Sequence, residues 1–249
     1  MTPDGPRLAT LALAASVGAV AGSFAATAAL RSVRSEGALR GRSHCDACRV
    51  PLGFAQTAPI LSYLLLGGVS ACCRRRIDPV HLIGEAAGAL AFLAAFALFP
   101  PAPACIAGAL ALVLVAASVI DLKTWRLPDR LNAAAAVLAG ALAVQLQGWA
   151  GLLLGLACAA AAYLVLQLVR AIFFTARRRH GLGGGDVKLL AAMALCVGPG
   201  IAPSLAAAAM LGLAAFLIVR PADGRIAFGP ALAASSFAVL LGQGGRLWT

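Results

Sequence analysis

The sequence predicts an all-α polytopic membrane protein with about eight transmembrane helices and one sizeable cytoplasmic loop. Of its 249 residues, 61% are hydrophobic and 12% are charged, whereas soluble domains carry about 25% charged residues. Apolar stretches of roughly 20 residues, the length that crosses a bilayer, recur along the chain. Basic residues concentrate in alternate loops between these stretches. A soluble globular protein is excluded, because this composition cannot cover a water-exposed surface with a normal density of charge.

Eight apolar stretches are long enough to be considered as membrane spans. We expect them to be helices, because a helix in hydrocarbon satisfies its own backbone hydrogen bonds. Short turns near 147–149 and 198–202 separate the fourth stretch from the fifth and the sixth from the seventh. The approximate stretches are 8–30, 80–99, 103–121, 131–147, 149–173, 187–201, 203–219 and 226–243.

The first stretch has the length of a signal peptide, but it lacks a convincing cleavage site and its basic flank follows it. We therefore expect an uncleaved helix that runs from outside to inside. The polar stretch after it is long enough to be functional. The predicted organisation is a first transmembrane helix at 1–30, a cytoplasmic cysteine-containing loop at 31–79 and a seven-helix membrane core at 80–249.

The net charge of +11 indicates on which side of the membrane each loop lies rather than nucleic-acid binding, because the basic residues are concentrated in alternate loops. One set of alternate loops carries sixteen basic residues, and the opposite loops carry none. By the positive-inside rule the basic loops are cytoplasmic and both termini lie outside. The sixteen residues are Arg31, Arg34, Arg40, Arg42, Arg49, Arg74, Arg75, Arg76, Lys123, Arg126, Arg130, Arg177, Arg178, Arg179, Arg220 and Arg225.

Acids at the edges of the spans indicate candidate functional sites, because the whole chain has only nine acidic residues and acids close to hydrocarbon are costly. Asp121 ends the third stretch and Asp186 opens the sixth, so both lie at the cytoplasmic boundary. An N-terminal helix cap also explains Asp186, whereas the helix dipole disfavours Asp121 at a C-terminus. In a facing pair, one aspartate would hold a proton and polarise a peptide carbonyl while the other deprotonates water. The glycine run at 183–185 would let an extended substrate backbone approach Asp186.

These residues resemble the motifs of a known membrane protease family, the type IV prepilin leader peptidases. The family's GxGD motif is similar to Gly183-Gly184-Gly185-Asp186, and its first aspartate motif is similar to Ile120-Asp121 followed by Leu127-Pro128-Asp129-Arg130-Leu131. The separation of 65 positions between the two aspartates and the segments 228–230 and 22–24 also look like that family. GxGD alone would admit the presenilin and signal peptide peptidase proteases as well; the first motif and the cysteine loop argue for the bacterial family.

The resemblance implies an aspartic endopeptidase of the bacterial inner membrane. It would remove the basic leader of prepilins or pseudopilins after a glycine, on the cytoplasmic side, and would bind membrane lipid but no nucleic acid. Asp121 and Asp186 are then the catalytic pair, and proteolysis needs no cofactor. The matching positions of supporting role are Asp129, Gly183, Gly184, Gly185, Lys188 and Glu85. For Glu85, a buried acid hydrogen-bonded to a neighbouring helix is the favoured alternative.

Four cysteines in the 31–79 loop are candidate zinc ligands. Cys45 and Cys48 form a CxxC knuckle, and Cys72 and Cys73 follow 24 residues later. Four thiolates would hold a structural zinc ion tetrahedrally; His44 is an alternative ligand, and reduced thiols without metal are the competing interpretation.

The related family has two CxxC knuckles in this loop. Here Ser70 stands where the first cysteine of the second knuckle is expected, and Cys73 matches the second. In the family this loop accompanies methylation of the new N-terminus by S-adenosylmethionine, an activity that the resemblance alone implies.

A small-solute or ion transporter is the alternative function, because eight spans and a few intramembrane acids would also serve one. A transporter predicts acids near the bilayer midplane and broken helices there. Asp121 and Asp186 lie instead at the predicted cytoplasmic edge, and Glu85 alone lies deeper. The sequence therefore favours the peptidase.

Overall fold

The computed structural model describes residues 5–37, 42–178, 181–220 and 226–247, and the basic residues Arg40, Arg179 and Arg225 lie outside these ranges. The described residues are helical apart from their connecting loops, and within them no strand forms beyond two isolated bridges. The α-helices are α1 (Gly5–Val33), α2 (Leu61–Leu65), α3 (Pro79–Leu98), α4 (Pro101–Thr124), α5 (Asp129–Arg177), α6 (Gly184–Val197), α7 (Ile201–Val219) and α8 (Gly229–Leu247).

Five helical stretches of the described chain are long and apolar enough to cross a membrane. An all-helical, multi-span protein is therefore confirmed, while the number of eight crossings stays a prediction. Two of the five are interrupted, at Gly148, whose φ is 69°, and at a 3-10 turn over Gly198–Gly200. The five stretches are Gly5–Val33, Pro79–Leu98, Pro101–Thr124, Asp129–Ala176 and Gly184–Val219.

Two helix boundaries differ from the predicted spans because local sequence sets them. The sixth stretch, predicted at 187–201, is helix α6 and ends at Val197, where the Gly-Pro-Gly turn begins. The eighth, predicted at 226–243, starts at Gly229. Pro230 occupies its first turn, where a missing N–H costs nothing and the fixed φ suits a helix.

Helices α1 and α3 pack closely because glycines face each other along their contact. Gly18 and Gly22 on α1 lie against Gly84 and Gly88 on α3, and a Cβ at Gly22 would collide with the Gly84 carbonyl. Small residues four apart allow such backbone approach in membrane helices. The cysteine loop connects the end of α1 to the start of α3.

The main core joins α4, the first half of α5, α6 and α8. Its fully buried side chains include Leu110, Leu142, Leu190, Met193 and Leu232. This packing brings the C-terminus of α4 together with the N-termini of α5, α6 and α8.

Apolar side chains cover the surface that faces away from this core, above all on the second half of α5 and on α7. Leu153 is 67% exposed and Ile218 is 82% exposed. Such a surface is unsuited to water but matches lipid.

Candidate active site

Asp121 lies in the last turn of α4, and its side chain is buried. Its Oδ2 accepts a hydrogen bond from the backbone N–H of Gly229, at 2.8 Å. Gly229 is the first residue of α8, so the positive end of that helix faces the carboxylate. The N-terminus of α8 thus offsets the unfavourable effect of the α4 dipole on the Asp121 carboxylate.

Asp186 is the third residue of α6 and is partly buried. Its carboxylate accepts a hydrogen bond from the backbone N–H of Gly183, the N-cap residue, in the manner of the acid in a capping box. This contact is compatible with the capping interpretation of Asp186 and does not exclude the functional one. Asp121 and Asp186 are close enough for their charges to interact.

The predicted supporting residues join the helices around this pair. Lys188 Nζ donates to Asp129 Oδ1 at 2.7 Å across α6 and α5. Both side chains are substantially exposed, so the ion pair contributes little to stability. Gly185 packs against Leu127, with no room for a side chain between them. The glycine run thus brings the start of α6 against the loop that follows Asp121.

Two residues beside the aspartates escaped the sequence analysis. Asn132 on α5 is 5% exposed, and its Nδ2 donates to the Gly185 carbonyl at 3.3 Å. The guanidinium of Arg170, near the other end of α5, lies beside Gly184 of the glycine run. The signal for Arg170 was present, since it is a lone cation within an apolar stretch, and intramembrane cations are as informative as acids.

The carboxylate of Glu85 is hydrogen-bonded to two neighbouring segments of the chain. Its buried carboxylate accepts a hydrogen bond from the Ser23 hydroxyl on α1 at 2.7 Å and from the Ile60 amide at 2.6 Å. It therefore anchors the cysteine loop to α1 and α3. Ile60 has a positive φ of 62°, which is unusual for a β-branched residue.

The four loop cysteines come together, although two of them are adjacent in sequence. Their sulfur atoms all lie within 4.8 Å of one another. The Sγ atoms of Cys45 and Cys73 are 3.7 Å apart, and those of Cys48 and Cys72 are 3.2 Å apart. Tetrahedral zinc with Zn–S bonds of 2.3 Å separates its ligand sulfurs by about 3.8 Å. The cluster therefore fits a zinc ion.

Ser70 and His44 have other roles beside this cluster. The Ser70 hydroxyl lies 3.3 Å from Cys45 Sγ and 3.0 Å from Cys72 Sγ, and its hydrogen bond lowers the pKa of the Cys45 thiol to about 6. A thiol of lower pKa is more readily the thiolate that binds metal. The ring nitrogens of His44 face Arg42 and Arg49, so His44 is not among the grouped ligands.

Asp46, between the first two cysteines, attaches the knuckle to the helices. His81 Nε2 lies 2.9 Å from its Oδ2, and Arg34 Nη1 donates to its Oδ1 at 2.7 Å. The hydrogen bonds from His81 and Arg34 hold the pKa of the Asp46 carboxyl well below its usual range. The cysteine loop is thus fastened to the ends of both α1 and α3.

A cavity of about 500 Å³ lies between α1, the cysteine loop and α3. Ser23, Tyr63 and Glu85 contribute to its lining, which includes neither Asp121 nor Asp186. The described residues therefore contain two separate polar regions, the aspartate pair and this cavity.

Family models match both parts of the chain. Residues 16–99 match the bacterial peptidase A24 N-terminal domain, and residues 108–219 match the type IV leader peptidase family. No solved structure matches the chain.

Curated relatives named prepilin leader peptidase/N-methyltransferase are similar over most of the chain. The Burkholderia pseudomallei (strain 1026b) relative is 38% identical over 208 residues, which cover 80% of this chain and 66% of that protein. The Pectobacterium carotovorum relative is 36% identical, over 77% of this chain and 71% of its own length. The Bacillus subtilis (strain 168) relative is 32% identical, over 90% and 91%. The chain spans less than two thirds of the Burkholderia relative, but most of the Pectobacterium and Bacillus ones. The chain belongs to the type IV leader peptidase family.

Proposed function

We propose that this protein is a membrane aspartic endopeptidase that removes the basic leader of prepilins or pseudopilins after a glycine. The observation that carries the proposal is the packing of Gly185 on Leu127, which joins the start of α6, where Asp186 lies, to the loop that follows Asp121. The N-terminus of α8 is at the same end of the bundle, where Gly229 donates to Asp121. The printed names of the relatives support prepilins as the substrate class. A transporter would leave this paired arrangement at the helix ends unexplained.

The two carboxylates would share the chemistry of hydrolysis. Because like charges at short distance are unfavourable, the pair holds one proton between them. The protonated member polarises the scissile carbonyl, and the ionised member deprotonates the attacking water. Asp129, Lys188 and the glycines at 183–185 act by holding α6 in position beside Asp121.

The proposed setting is the bacterial inner membrane, crossed eight times with both termini outside. The charge asymmetry of the loops supports this orientation, because basic loops stay cytoplasmic. Asp121 and Asp186 then lie at the cytoplasmic edge, in the seven-helix core at 80–249. The loop at 31–79 connects this core to the first helix at 1–30.

A second proposed activity is N-methylation of the new N-terminus, with S-adenosylmethionine as methyl donor. The names of the relatives and the separate cavity of about 500 Å³ beside Glu85 support it. The basic side chains Arg31 and Arg34 contribute to the lining of that cavity, and they would suit the carboxylate of the methyl donor.

Zinc is proposed as a structural group held by Cys45, Cys48, Cys72 and Cys73. When bound, it would cross-link the two halves of the loop and so stabilise the fold. The cysteines lie apart from Asp121 and Asp186 in the chain and in the fold, so hydrolysis proceeds through the aspartates.

The peptidase is tested with Asp121→Asn and Asp186→Asn, assayed on a prepilin in membranes. Each change should reduce cleavage by at least about 10³-fold, because either loss removes the acid–base pair, while the protein still accumulates. Glu36→Gln is the control, because Glu36 forms an exposed ion pair with Arg49. This variant should cleave the prepilin at the normal rate. Normal cleavage by either aspartate variant would refute the assignment. The product mass from the same reactions, with and without methyl donor, reports the second activity.

A further inference from the structure

The cysteine loop folds the same short turn twice, first at 44–51 and again at 69–76. In the first turn the backbone N–H of Cys45 donates to the Val50 carbonyl at 2.9 Å, and the Cys45 carbonyl accepts a hydrogen bond from the Arg49 N–H at 2.9 Å. Arg49 has a positive φ of 63°, and an isolated antiparallel bridge joins the first and last residues of the turn. This backbone presents the two cysteines of the first knuckle.

The second turn repeats each of these features at the matching position. The backbone N–H of Ser70 donates to the Arg75 carbonyl at 2.8 Å, and the Ser70 carbonyl accepts a hydrogen bond from the Arg74 N–H at 2.9 Å. Arg74 has a positive φ of 57°, and an isolated antiparallel bridge again joins the first and last residues. Ser70 is 7% exposed and Cys45 is 6% exposed. Ser70 therefore occupies, in backbone conformation and in burial, the place that Cys45 has in the first turn.

The same alignment accounts for one cysteine of the second turn but not for the other. Cys73 matches Cys48, so it lies at a ligand position of the knuckle. Cys72 matches Ala47, a position that supplies no ligand in the first turn. Nevertheless, the Sγ of Cys72 lies 3.2 Å from that of Cys48 and within 4.8 Å of the other two sulfurs. Cys72 thus brings a thiol to the cluster from a position that the repeated turn does not assign to a ligand.

The Ser70 hydroxyl lies beside these sulfurs but does not replace one of them as a ligand. Its Oγ is 3.3 Å from Cys45 Sγ and 3.0 Å from Cys72 Sγ. Structural zinc sites use the thiolates of cysteine and the ring nitrogens of histidine. Because a thiolate only accepts, the hydroxyl donates its proton to one of the two sulfurs. Hydrogen bonds of this kind orient metal ligands, and their loss costs about 10–100-fold in metal affinity.

We propose that the second knuckle has its first ligand displaced by two positions, so that Cys72 supplies the fourth thiolate in place of residue 70. Ser70, at the position that the backbone builds for that thiolate, is a positioning residue for the sulfurs of Cys45 and Cys72. This inference rests on the proposed zinc site and states how this chain completes it. The other three thiolates come from the ligand positions that the two turns share.

The test moves one thiol within the second turn and measures the zinc content of the purified protein and its zinc affinity by competition with a chelator. Cys72→Ser should hold less than about a tenth of an equivalent of zinc, because the site loses a ligand. Adding Ser70→Cys to Cys72→Ser exchanges the two side chains. This double variant should again hold about one equivalent of zinc, at wild-type affinity or tighter, since the thiol then stands where Cys45 stands in the first turn.

Two controls accompany these variants. Ala71→Cys added to Cys72→Ser should remain without zinc, because residue 71 matches Asp46, whose carboxylate bonds to the helices rather than to the cysteines. Ser70→Ala should keep its zinc but bind it about tenfold more weakly. Thr57→Ala should keep the wild-type affinity, because the Thr57 hydroxyl bonds to a backbone carbonyl elsewhere in the loop.

Retention of zinc by Cys72→Ser would overturn the proposal, because the remaining groups would then suffice. If Cys72→Ser fails to accumulate, the double variant decides: one that stays empty, or also fails to accumulate, would overturn the displaced ligand. Unchanged zinc affinity in Ser70→Ala would overturn the positioning role of Ser70. If the wild type itself holds no zinc, it is the proposed zinc site that fails, whereas these results in a zinc-containing wild type refute the displacement alone.

Discussion

At the scale of single residues, each aspartate of the pair is stabilised by the N-terminus of a helix. Asp186 caps its own helix through the Gly183 amide, and Asp121 receives the Gly229 amide from α8. The sequence was sufficient to select both aspartates, because acids are rare in this chain. It could not predict the partner of Asp121, since Gly229 lies 108 positions away and only the packing of α4 against α8 joins them.

Gly229 is predicted to support cleavage because its missing side chain leaves room for the Asp121 carboxylate. In Gly229→Ala the new Cβ would lie 2.8 Å from Asp121 Oδ2 and 3.2 Å from its Cγ. The carboxylate must shift, and a displacement near 1 Å costs about 10²-fold in rate. We expect that loss in kcat with normal accumulation in the membrane.

Gly242→Ala provides the control for this prediction on the same helix. A Cβ at Gly242 meets no atom within 4 Å, so the variant should cleave at the wild-type rate. Equal activity of the two variants would contradict the proposed fit between Gly229 and Asp121.

At the scale of elements, α5 combines two of the predicted spans. The predicted stretches 131–147 and 149–173 meet at Gly148, where the backbone leaves the helical region with φ 69° and ψ −167°. This conformation is accessible essentially to glycine alone. The turn allows the second half of α5 to return toward the start of α6, so that Asn132 and Arg170, from opposite ends of α5, lie beside Gly185 and Gly184 of the same motif.

Gly148→Ala is predicted to destabilise the protein by about 1–3 kcal/mol, because alanine is strained in this backbone conformation. The melting temperature in detergent measures the effect. Gly140→Ala, in the first half of α5, is the matched control. Its Cβ would make one ordinary contact, 3.7 Å from Leu152, so the helix should gain slightly from alanine. If Gly148→Ala were as stable as Gly140→Ala, the turn would not depend on glycine.

At the scale of the whole molecule, composition was enough to predict a multi-span helical protein but not how its parts meet. Cys72 and Cys73 are adjacent in the sequence and 24 residues from the first knuckle, yet the turn between Val69 and Arg76 brings both sulfurs to that knuckle. Arg170 lies within an apolar stretch of the sequence, and only the fold places it beside Gly184. Contacts between distant segments decide these cases, and a single sequence does not display them.

The cysteine loop connects the first helix to the membrane core, so its proposed zinc ion should affect the whole molecule. Purified protein should contain about one equivalent of zinc by metal analysis, and less than about a tenth of an equivalent would refute the site. Cys72→Ser should lose the metal and lower the melting temperature, because one of four ligands is gone. Cys105→Ser, which changes an exposed cysteine on α4, should retain both. A chelator should lower the melting temperature of the wild type to that of Cys72→Ser, because both treatments remove the same cross-link between the halves of the loop.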